Sequence, residues 1–269
     1  MTKNVIISVY DKTDLDIIAK FLIKKKFTIY STGGTSDFLK KNNIPHIEIS
    51  KYTKQKEILG GRVKTLHPKI FGGLLGTKSL DHQKELQSEK IVNFDILIIN
   101  LYPFEETIKK TKKSDEIIEM IDIGGHSLIR AAIKNYTKTT PIVSPADYKQ
   151  LIRKLPKSKN EKKKYAITAL QHITQYDISI TNWFQGIRTD EYPLRYGENP
   201  QQKAIALVND NSFVQMGGEK KLSYNNLLDL DAAINIAYNS SSKENICTIV
   251  KHTIPCGGAI KKRQKDSYL

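Results

Sequence analysis

The sequence is poor in the residues and runs that build disulfide frameworks, zinc sites and membrane spans. Only two cysteines, Cys247 and Cys256, occur in 269 residues, and their spacing matches neither a disulfide framework nor a zinc site. No run approaches the roughly 18 apolar residues of a transmembrane helix. The N-terminal stretch MTKNVIISVY continues into DKTDL without a cleavage site, so it predicts a strand and not a signal peptide. We therefore expect a cytoplasmic protein that does not contact a membrane.

Arginine is scarce for so basic a chain. The formal net charge is +15, yet 37 of the 43 basic residues are lysines and they are spread along the whole sequence. Nucleic-acid recognition tends to favour the planar fork of arginine. The excess charge therefore predicts solvated surfaces and no nucleic-acid partner, and the stretch KLPKSKNEKKKY is interpreted as a polar surface loop.

Several familiar catalytic motifs are missing as well. The sequence has no GxGxxG, no Walker pattern, no HExxH and no Ser-His-Asp order. Its loops offer lysine, tyrosine, aspartate and backbone amides instead. That set suits proton transfer and charge stabilisation on a small anionic substrate, without a metal or a cofactor.

The first 150 residues alternate between strand and helix periodicity, which predicts a parallel α/β sheet. The expected strands are residues 5–9, 27–30, 47–49, 95–101 and 140–143. The run DILIINL has no polar face, so it should lie inside the sheet with both faces covered. Residues 150–186 are predicted to be helical, and a new unit should begin near residue 190. Ligands of such sheets bind beyond the carboxyl ends of the strands.

The stretch STGGT, residues 31–35, lies between a predicted strand and a predicted helix. Adjacent glycines allow backbone N–H groups to face an anion, and the helix N-terminus adds positive potential. The alternative is an ordinary glycine turn with Thr35 as the helix cap. Arg62, Lys64 and Thr65, in the stretch GGRVKTLHPKIFGG, favour the phosphate site because cations and a hydroxyl complement a phosphorylated ligand.

Two further stretches carry candidate chemistry. Asp122 precedes a Gly-Gly helix start in IDIGGHSLIRAAIKNY, where it either caps the helix or holds a polar ligand group, and Lys134 lies late in that helix. Tyr102 follows the most buried strand in NLYPFEET. Its phenol is either a donor to a developing oxyanion or a core aromatic at the sheet edge.

Together these stretches resemble the PurH family of bifunctional purine-biosynthesis enzymes, AICAR transformylase/IMP cyclohydrolase. The matching motifs run in the family's order over about residues 4–260, and they are SVYDKTDL, STGGT, GGRVKTLHPKIFGG, NLYPFEET, IDIGGHSLIRAAIKNY, LRYGENPQQKA, LSYNNLLDLDAA and KHTIPCGGA. The resemblance implies an IMP cyclohydrolase domain of methylglyoxal-synthase-like fold at residues 1–190. It implies the start of a cytidine-deaminase-like transformylase domain at residues 191–269.

The resemblance also implies roles for the residues of the first domain. Substrate would be bound by Lys12, Thr32, Gly33, Gly34, Thr35, Arg62, Thr65, Asn100, Ile123, Gly124 and Gly125. Lys64 and Tyr102 would stabilise the oxyanion, while Lys134 with Asp122 would move protons. No cofactor is implied for ring closure. Tyr10 replaces the small serine that is usual in the family's first motif, which predicts crowding at the phosphate end.

In the second domain, the resemblance implies that Lys251 and His252 are catalytic and that Arg195 and Tyr196 contact AICAR. The family's co-substrate there is 10-formyltetrahydrofolate. Because the family continues far beyond KHTIPCG, we expect an incomplete domain that lacks the folate site and has no transformylase activity alone. We expect a homodimer, with a second chain as a candidate supplier of the missing part. The alternatives are an inactive nucleotide-binding remnant and one half of a split enzyme.

Overall fold

The computed structural model describes residues 3–186, 189–209, 220–239 and 245–268. The chain packs as two compact units, Met1–Trp183 and Phe184–Leu269. Packing thus divides the chain between residues 183 and 184, whereas the sequence places the change of character near residue 190. Within the described ranges, no helix combines the length and the apolar character that crossing a membrane requires.

The first unit is built on a five-stranded parallel sheet, as the alternating periodicity predicts. Its strands are β1 (Lys3–Val9), β2 (Phe27–Ser31), β3 (Ile47–Glu48), β4 (Ile96–Asn100) and β5 (Thr140–Ile142). Their order is β3-β2-β1-β4-β5, so the chain winds outward from β1 in one direction and from β4 in the other. Val9 pairs in register with Asn100. The carboxyl ends of β1 and β4 therefore lie side by side at the point where the strand order reverses.

Helices and short helical turns connect the strands. The helices of this unit are α1 (Leu15–Lys24), α2 (Gly33–Lys41), α3 (Ile49–Thr53), α4 (Pro68–Leu75), α5 (Leu80–Ser88), α6 (Phe104–Lys110), α7 (Ser114–Ile118), α8 (Ile123–Lys134), α9 (Tyr148–Arg153) and α10 (Lys159–Phe184). One hydrophobic cluster covers each face of the sheet, because neighbouring strand residues point to opposite faces. Ile6, Leu97 and Ile99 enter one cluster. Val5 and Ile98 enter the other. The strand in DILIINL is therefore covered on both faces, as expected.

Gly73 in α4 lies where the backbone of a neighbouring loop comes closest. A Cβ atom there would stand 2.3 Å from the Val92 carbonyl oxygen and 2.6 Å from the Phe94 ring. Gly73→Ala should therefore lower the free energy of unfolding by about 2–3 kcal/mol, the cost of overpacking a rigid site. Gly72→Ala is the matched control, since its nearest contact is the flexible end of Ile91 at 3.1 Å. Urea unfolding of both variants checks this, and equal losses would contradict it.

Two of the predicted elements have wrong boundaries. The third strand ends at Glu48, because α3 begins at Ile49. The polar stretch KLPKSKNEKKKY is not a loop throughout, since α10 begins at Lys159. Ser158 explains the early start: its hydroxyl accepts from the Glu161 backbone N–H, and the Glu161 carboxylate accepts from the Ser158 N–H. This S-x-x-E capping box was present in the sequence.

The second unit consists of two hairpins and two helices in its described residues. They are β6 (Thr189–Pro193), β7 (Ile205–Asn209), α11 (Tyr224–Tyr238), β8 (Asn245–Lys251), β9 (Ile254–Lys261) and α12 (Gln264–Tyr268). Both strand pairs are antiparallel. All the fully buried apolar side chains of the described residues fall between Val5 and Tyr176. The described part of the second unit therefore lacks a buried apolar core.

Candidate active site

A cavity of about 750 Å³ opens at the carboxyl ends of β1, β2 and β4. It lies at the point where the strand order reverses, which is where ligands of open α/β sheets bind. The start of α8 and the segment from Glu57 to Thr65 close its other sides. Its size is that of a small-molecule site.

The cavity brings together almost all the residues that the sequence singles out in the first unit. Its lining includes Lys12, Thr32, Gly33, Gly34, Thr35, Arg62, Lys64, Thr65, Asn100, Tyr102, Asp122, Ile123, Gly124 and Gly125. They come from five separate stretches of sequence. Parallel topology gathers them, because it places successive strand ends at one edge.

One end of the cavity is suited to an anion. Helix α2 begins at Gly33, with Thr32 in the cap position, so the alternative that Thr35 caps this helix is wrong. The Lys12 ammonium lies 3.9 Å from the position that a Cβ atom on Gly34 would occupy. The Thr32 hydroxyl is buried and has no hydrogen-bond partner among the described residues. A buried polar atom without a partner is costly, so a ligand group that bonds this hydroxyl would relieve that cost.

Two predicted ligand-binding side chains are instead occupied in holding loops. The Thr35 hydroxyl accepts from the Val9 N–H at 2.9 Å and donates to the Val9 carbonyl at 3.0 Å. The Asn100 amide oxygen accepts from the N–H groups of Tyr10 and Asp11 at 2.6 and 2.9 Å. These bonds fix the end of β1 against α2 and β4. Thr35 and Asn100 therefore shape the cavity through their positions in the fold.

Lys64 lies between the anion end of the cavity and the end that contains Tyr102. Its ammonium nitrogen lies 3.8 Å from the position that a Cβ on Gly33 would occupy. It also donates a long hydrogen bond to the Tyr102 hydroxyl at 3.4 Å. An ammonium and a phenol thus converge on one region of the cavity. That pair can stabilise negative charge that develops on an oxygen.

Asp122 both caps a helix and lines the cavity. Its two interpretations, a helix cap and a residue that holds a polar ligand group, are therefore compatible. One carboxylate oxygen accepts from the Gly125 N–H at 2.6 Å, which caps α8. Burial raises the pKa of the Asp122 carboxyl, and this effect outweighs the Gly125 hydrogen bond and the charge of Lys64, which lower it. A carboxylate whose pKa is raised is a better proton acceptor than a solvated one.

Tyr176 of α10 positions Asp122, and sequence reasoning missed it. Its hydroxyl accepts from the Asp122 N–H at 2.9 Å and donates to the Met120 carbonyl at 2.5 Å. Burial raises the pKa of the Tyr176 phenol to about 12, so the phenol remains a donor at neutral pH. Tyr176 lies 54 residues beyond Asp122 and shares no motif with it, so nothing local in the sequence signals the contact.

The remaining predicted residues at the α8 end pack closely. Arg62 forms an exposed ion pair with Glu119 at the cavity rim. A Cβ atom on Gly124 would stand 2.9 Å from the Thr65 hydroxyl oxygen. Glycine at this position therefore allows the start of α8 to approach the basic segment, residues 60–73.

Lys134 is not brought to this site within the chain, which corrects the expected pairing with Asp122. It is the last residue of α8, whereas Asp122 precedes the first. Twelve residues at 1.5 Å per residue separate them by about 18 Å along the helix axis. Lys134 is exposed and does not line the cavity.

The residues predicted to be functional in the second unit do not line a cavity like that of the first unit. Lys251 ends β8 and His252 lies in the two-residue turn before β9, and both are exposed. Arg195 is also exposed, and its guanidinium lies 5.4 Å from the centre of the Tyr196 ring. None of these four residues lines the large cavity.

Among the cavity residues without a ligand role from the sequence, three bear on its charge and shape. Glu57 and Glu119 add carboxylates to a site expected to be basic. Tyr10 also lines it, about half exposed, with its ring edge-on to Tyr102 at 5.9 Å between centroids. No group of three or more His, Cys, Asp or Glu side chains suited to a metal occurs in the part of the chain that the structure describes.

Two family descriptions match the chain. Residues 14–127 match the MGS-like domain. Residues 132–269, just over half of the chain, match the AICARFT/IMPCHase bienzyme. A solved structure titled "Crystal structure of ForH" superposes with a TM-score of 0.61 over 68% of this chain and 97% of that chain, at 24% identity. That likeness supports the fold alone.

Curated relatives carry the name bifunctional purine biosynthesis protein PurH. The protein from Prochlorococcus marinus (strain MIT 9515) is 38% identical over all of this chain and 57% of its own length. The one from Persephonella marina is 41% identical over the same shares. The one from Natranaerobius thermophilus is 40% identical over 98% of this chain and 55% of its own length. This chain thus spans little more than half the length of these relatives.

Proposed function

The chain belongs to the AICARFT/IMPCHase bienzyme family, and we propose that its first unit is an IMP cyclohydrolase. The substrate would be 5-formamidoimidazole-4-carboxamide ribotide and the product IMP. The position of Lys64 carries this proposal. Its ammonium lies between the N-terminus of α2, suited to a phosphate, and the Tyr102 hydroxyl, suited to a developing oxyanion.

The phosphate of the ribotide would bind at the start of α2. Backbone N–H groups of Gly33 and Gly34, the Lys12 ammonium and the Thr32 hydroxyl converge there. Helix N-termini favour anions through their free N–H groups and the helix dipole. The base would then extend toward Tyr102 and Asp122 at the other end of the cavity.

Ring closure joins the carboxamide nitrogen to the formyl carbon. As this C–N bond forms, the carbonyl π electrons move onto the formyl oxygen, where Lys64 and Tyr102 stabilise the charge. Asp122 accepts the proton that leaves the attacking nitrogen. The oxygen takes up two protons and departs as water, and the formamido nitrogen loses its proton as the ring C=N bond forms. The two protons gained by the oxygen balance those lost by the attacking nitrogen and the formamido nitrogen. We assign no step to Lys134, because it lies at the far end of α8.

For the second unit we propose no transformylase activity in this chain alone. Its implied catalytic pair, Lys251 and His252, is exposed on a hairpin, and its described part has no buried apolar core. Three expectations remain predictions. The first is that the site for 10-formyltetrahydrofolate, the co-substrate of the family's transformylase, is missing from this chain. The others are a homodimer and a second chain that supplies the rest of the domain. An inactive nucleotide-binding remnant is the competing function, and a turnover assay separates it from the enzyme.

The phosphate end can be tested by calorimetric titration with IMP and with inosine. IMP should bind, and inosine should bind at least about 100-fold more weakly, because it lacks the group that the α2 N-terminus, Lys12 and Thr32 would hold. Equal binding of the two compounds would contradict a phosphate site at α2.

A pair of threonine variants separates binding from folding. Thr32→Val should leave the free energy of unfolding unchanged or slightly higher, because the buried hydroxyl has no partner among the described residues. It should weaken IMP binding about tenfold, the value of one hydrogen bond to a charged group. Thr35→Val should instead cost about 2 kcal/mol of stability, since two Val9 backbone groups lose their partner. Denaturant unfolding and titration of both variants check this, and a large stability loss in Thr32→Val would contradict it.

A further inference from the structure

Glu57 places a carboxylate beside the anion end of the cavity. Its two oxygens lie 3.9 Å and 3.3 Å from the positions that Cβ atoms on Gly33 and Gly61 would occupy. Both glycines have positive φ, +48° and +92°, so glycine is favoured at both on backbone grounds as well. The exposed Glu57 carboxylate therefore lies between the start of α2 and the basic segment.

The Glu57 carboxylate has no hydrogen bond or ion pair of its own within the described residues. The Lys64 ammonium donates its hydrogen bond to the Tyr102 hydroxyl. Arg62 is paired with Glu119. Glu57 is exposed, so water solvates its carboxylate in the empty site. Beside a bound phosphate the carboxylate would repel the ligand unless a ligand group donates hydrogen bonds to it.

The position of Glu57 identifies the part of a ribotide that would reach it. Gly33, at the phosphate end, has both the Lys64 ammonium and a Glu57 oxygen within 4 Å of its Cβ position. Lys64 in turn reaches Tyr102 at the base end. The segment of a ribotide that joins phosphate to base is the ribose. A smaller polar cavity of about 170 Å³ shares Thr32, Gly33, Glu57 and Lys64 with the large one, which leaves room beside the sugar.

We propose that Glu57 binds the ribose hydroxyls of the nucleotide and makes the site selective for ribotides over 2′-deoxyribotides. This rests on the proposed function of the same cavity. A carboxylate is well suited to the task, because it accepts hydrogen bonds from both hydroxyls of a vicinal diol and offers no donor of its own. Acidic residues recognise ribose hydroxyls in this way in dinucleotide-binding sites.

The test titrates IMP and 2′-deoxy-IMP into the wild-type chain, Glu57→Ala and Glu57→Gln. Wild type should bind IMP about tenfold or more tightly than the deoxy compound, since a hydrogen bond to a charged group is lost. Glu57→Ala should weaken IMP binding by a similar factor, leave deoxy-IMP within about twofold, and bring the ratio near one. Glu57→Gln should fall between. Glu48→Gln is the matched control, because Glu48 lines only the smaller cavity, and its ratio should match that of wild type.

An unchanged ratio in Glu57→Ala would overturn the ribose assignment and leave the proposed function standing. Tighter IMP binding by Glu57→Ala would also overturn it, because the carboxylate would then be only a repulsive neighbour of the phosphate. Failure of wild type to bind IMP at all would overturn both this inference and the nucleotide site on which it rests.

Discussion

Lys64→Ala is expected to lower turnover of the formamido ribotide by about 10²–10³-fold, the usual cost of removing one donor to a developing oxyanion. The Lys64 ammonium lies 3.4 Å from the Tyr102 hydroxyl, so its loss also leaves that phenol without its cationic neighbour. The larger part of the effect should fall on kcat, because the charge on the formyl oxygen develops only as the ring closes. The change in KM should be smaller.

The control for this experiment is Lys69→Ala, which removes a cation from the same basic segment. The Lys69 ammonium lies 5.6 Å from the centre of the Tyr52 ring and outside the cavity lining. Its loss should change kcat by less than about threefold, since the contact is a half-buried cation–π interaction away from the cavity. Similar losses in both variants would show that overall positive charge, and not the position of Lys64, supports turnover.

Asp122→Asn is expected to lower kcat by about 10²-fold or more, because a neutral amide cannot accept the proton of the attacking nitrogen. Asparagine is as good a helix cap as aspartate, so α8 should keep its start. In the wild-type chain, kcat should fall toward acid pH as Asp122 is protonated. Because burial raises the pKa of this carboxyl, that fall should begin above the ordinary pKa range of aspartate.

The same variant should be more stable than the wild type at neutral pH. The raised pKa means that the folded state holds the Asp122 proton more tightly than the unfolded chain does, so this group's contribution to stability falls as pH rises between the two pKa values. Asparagine avoids that cost. The gain in thermal midpoint should be full above the folded-state pKa and vanish below the unfolded value of about 3.9. A midpoint difference that does not change with pH would contradict the assignment of a destabilised carboxylate.

Much of the first unit was predictable because its signals are local. The periodicity of VIISV and DILIINL predicted interior strands, and both are buried on two faces. The glycines at 33–34 and 124–125 predicted two helix starts, and both lie at the cavity. Since parallel strands end at one edge, the sequence also predicted which loops would converge.

The parts that sequence reasoning missed depend on contacts between distant residues. Tyr176 reaches Asp122 across 54 residues, and no spacing rule connects a tyrosine in a long helix with a loop that far away. Glu57 is separated from Gly33 by the rest of α2, by β3 and by α3, and only the fold brings both residues to the cavity. The expected pairing of Asp122 with Lys134 was wrong although the two residues are close in sequence. A continuous helix separates them by about 18 Å.

The central claim is that this chain closes the purine ring. The measurement is conversion of 5-formamidoimidazole-4-carboxamide ribotide to IMP by the purified chain, followed by ultraviolet absorbance without added folate, with Lys64→Ala and Lys69→Ala alongside. We expect turnover by wild type and Lys69→Ala and a loss of about 10²–10³-fold in Lys64→Ala. A folded chain that binds IMP but forms none from the ribotide would contradict the account and identify the cavity as that of a nucleotide-binding remnant.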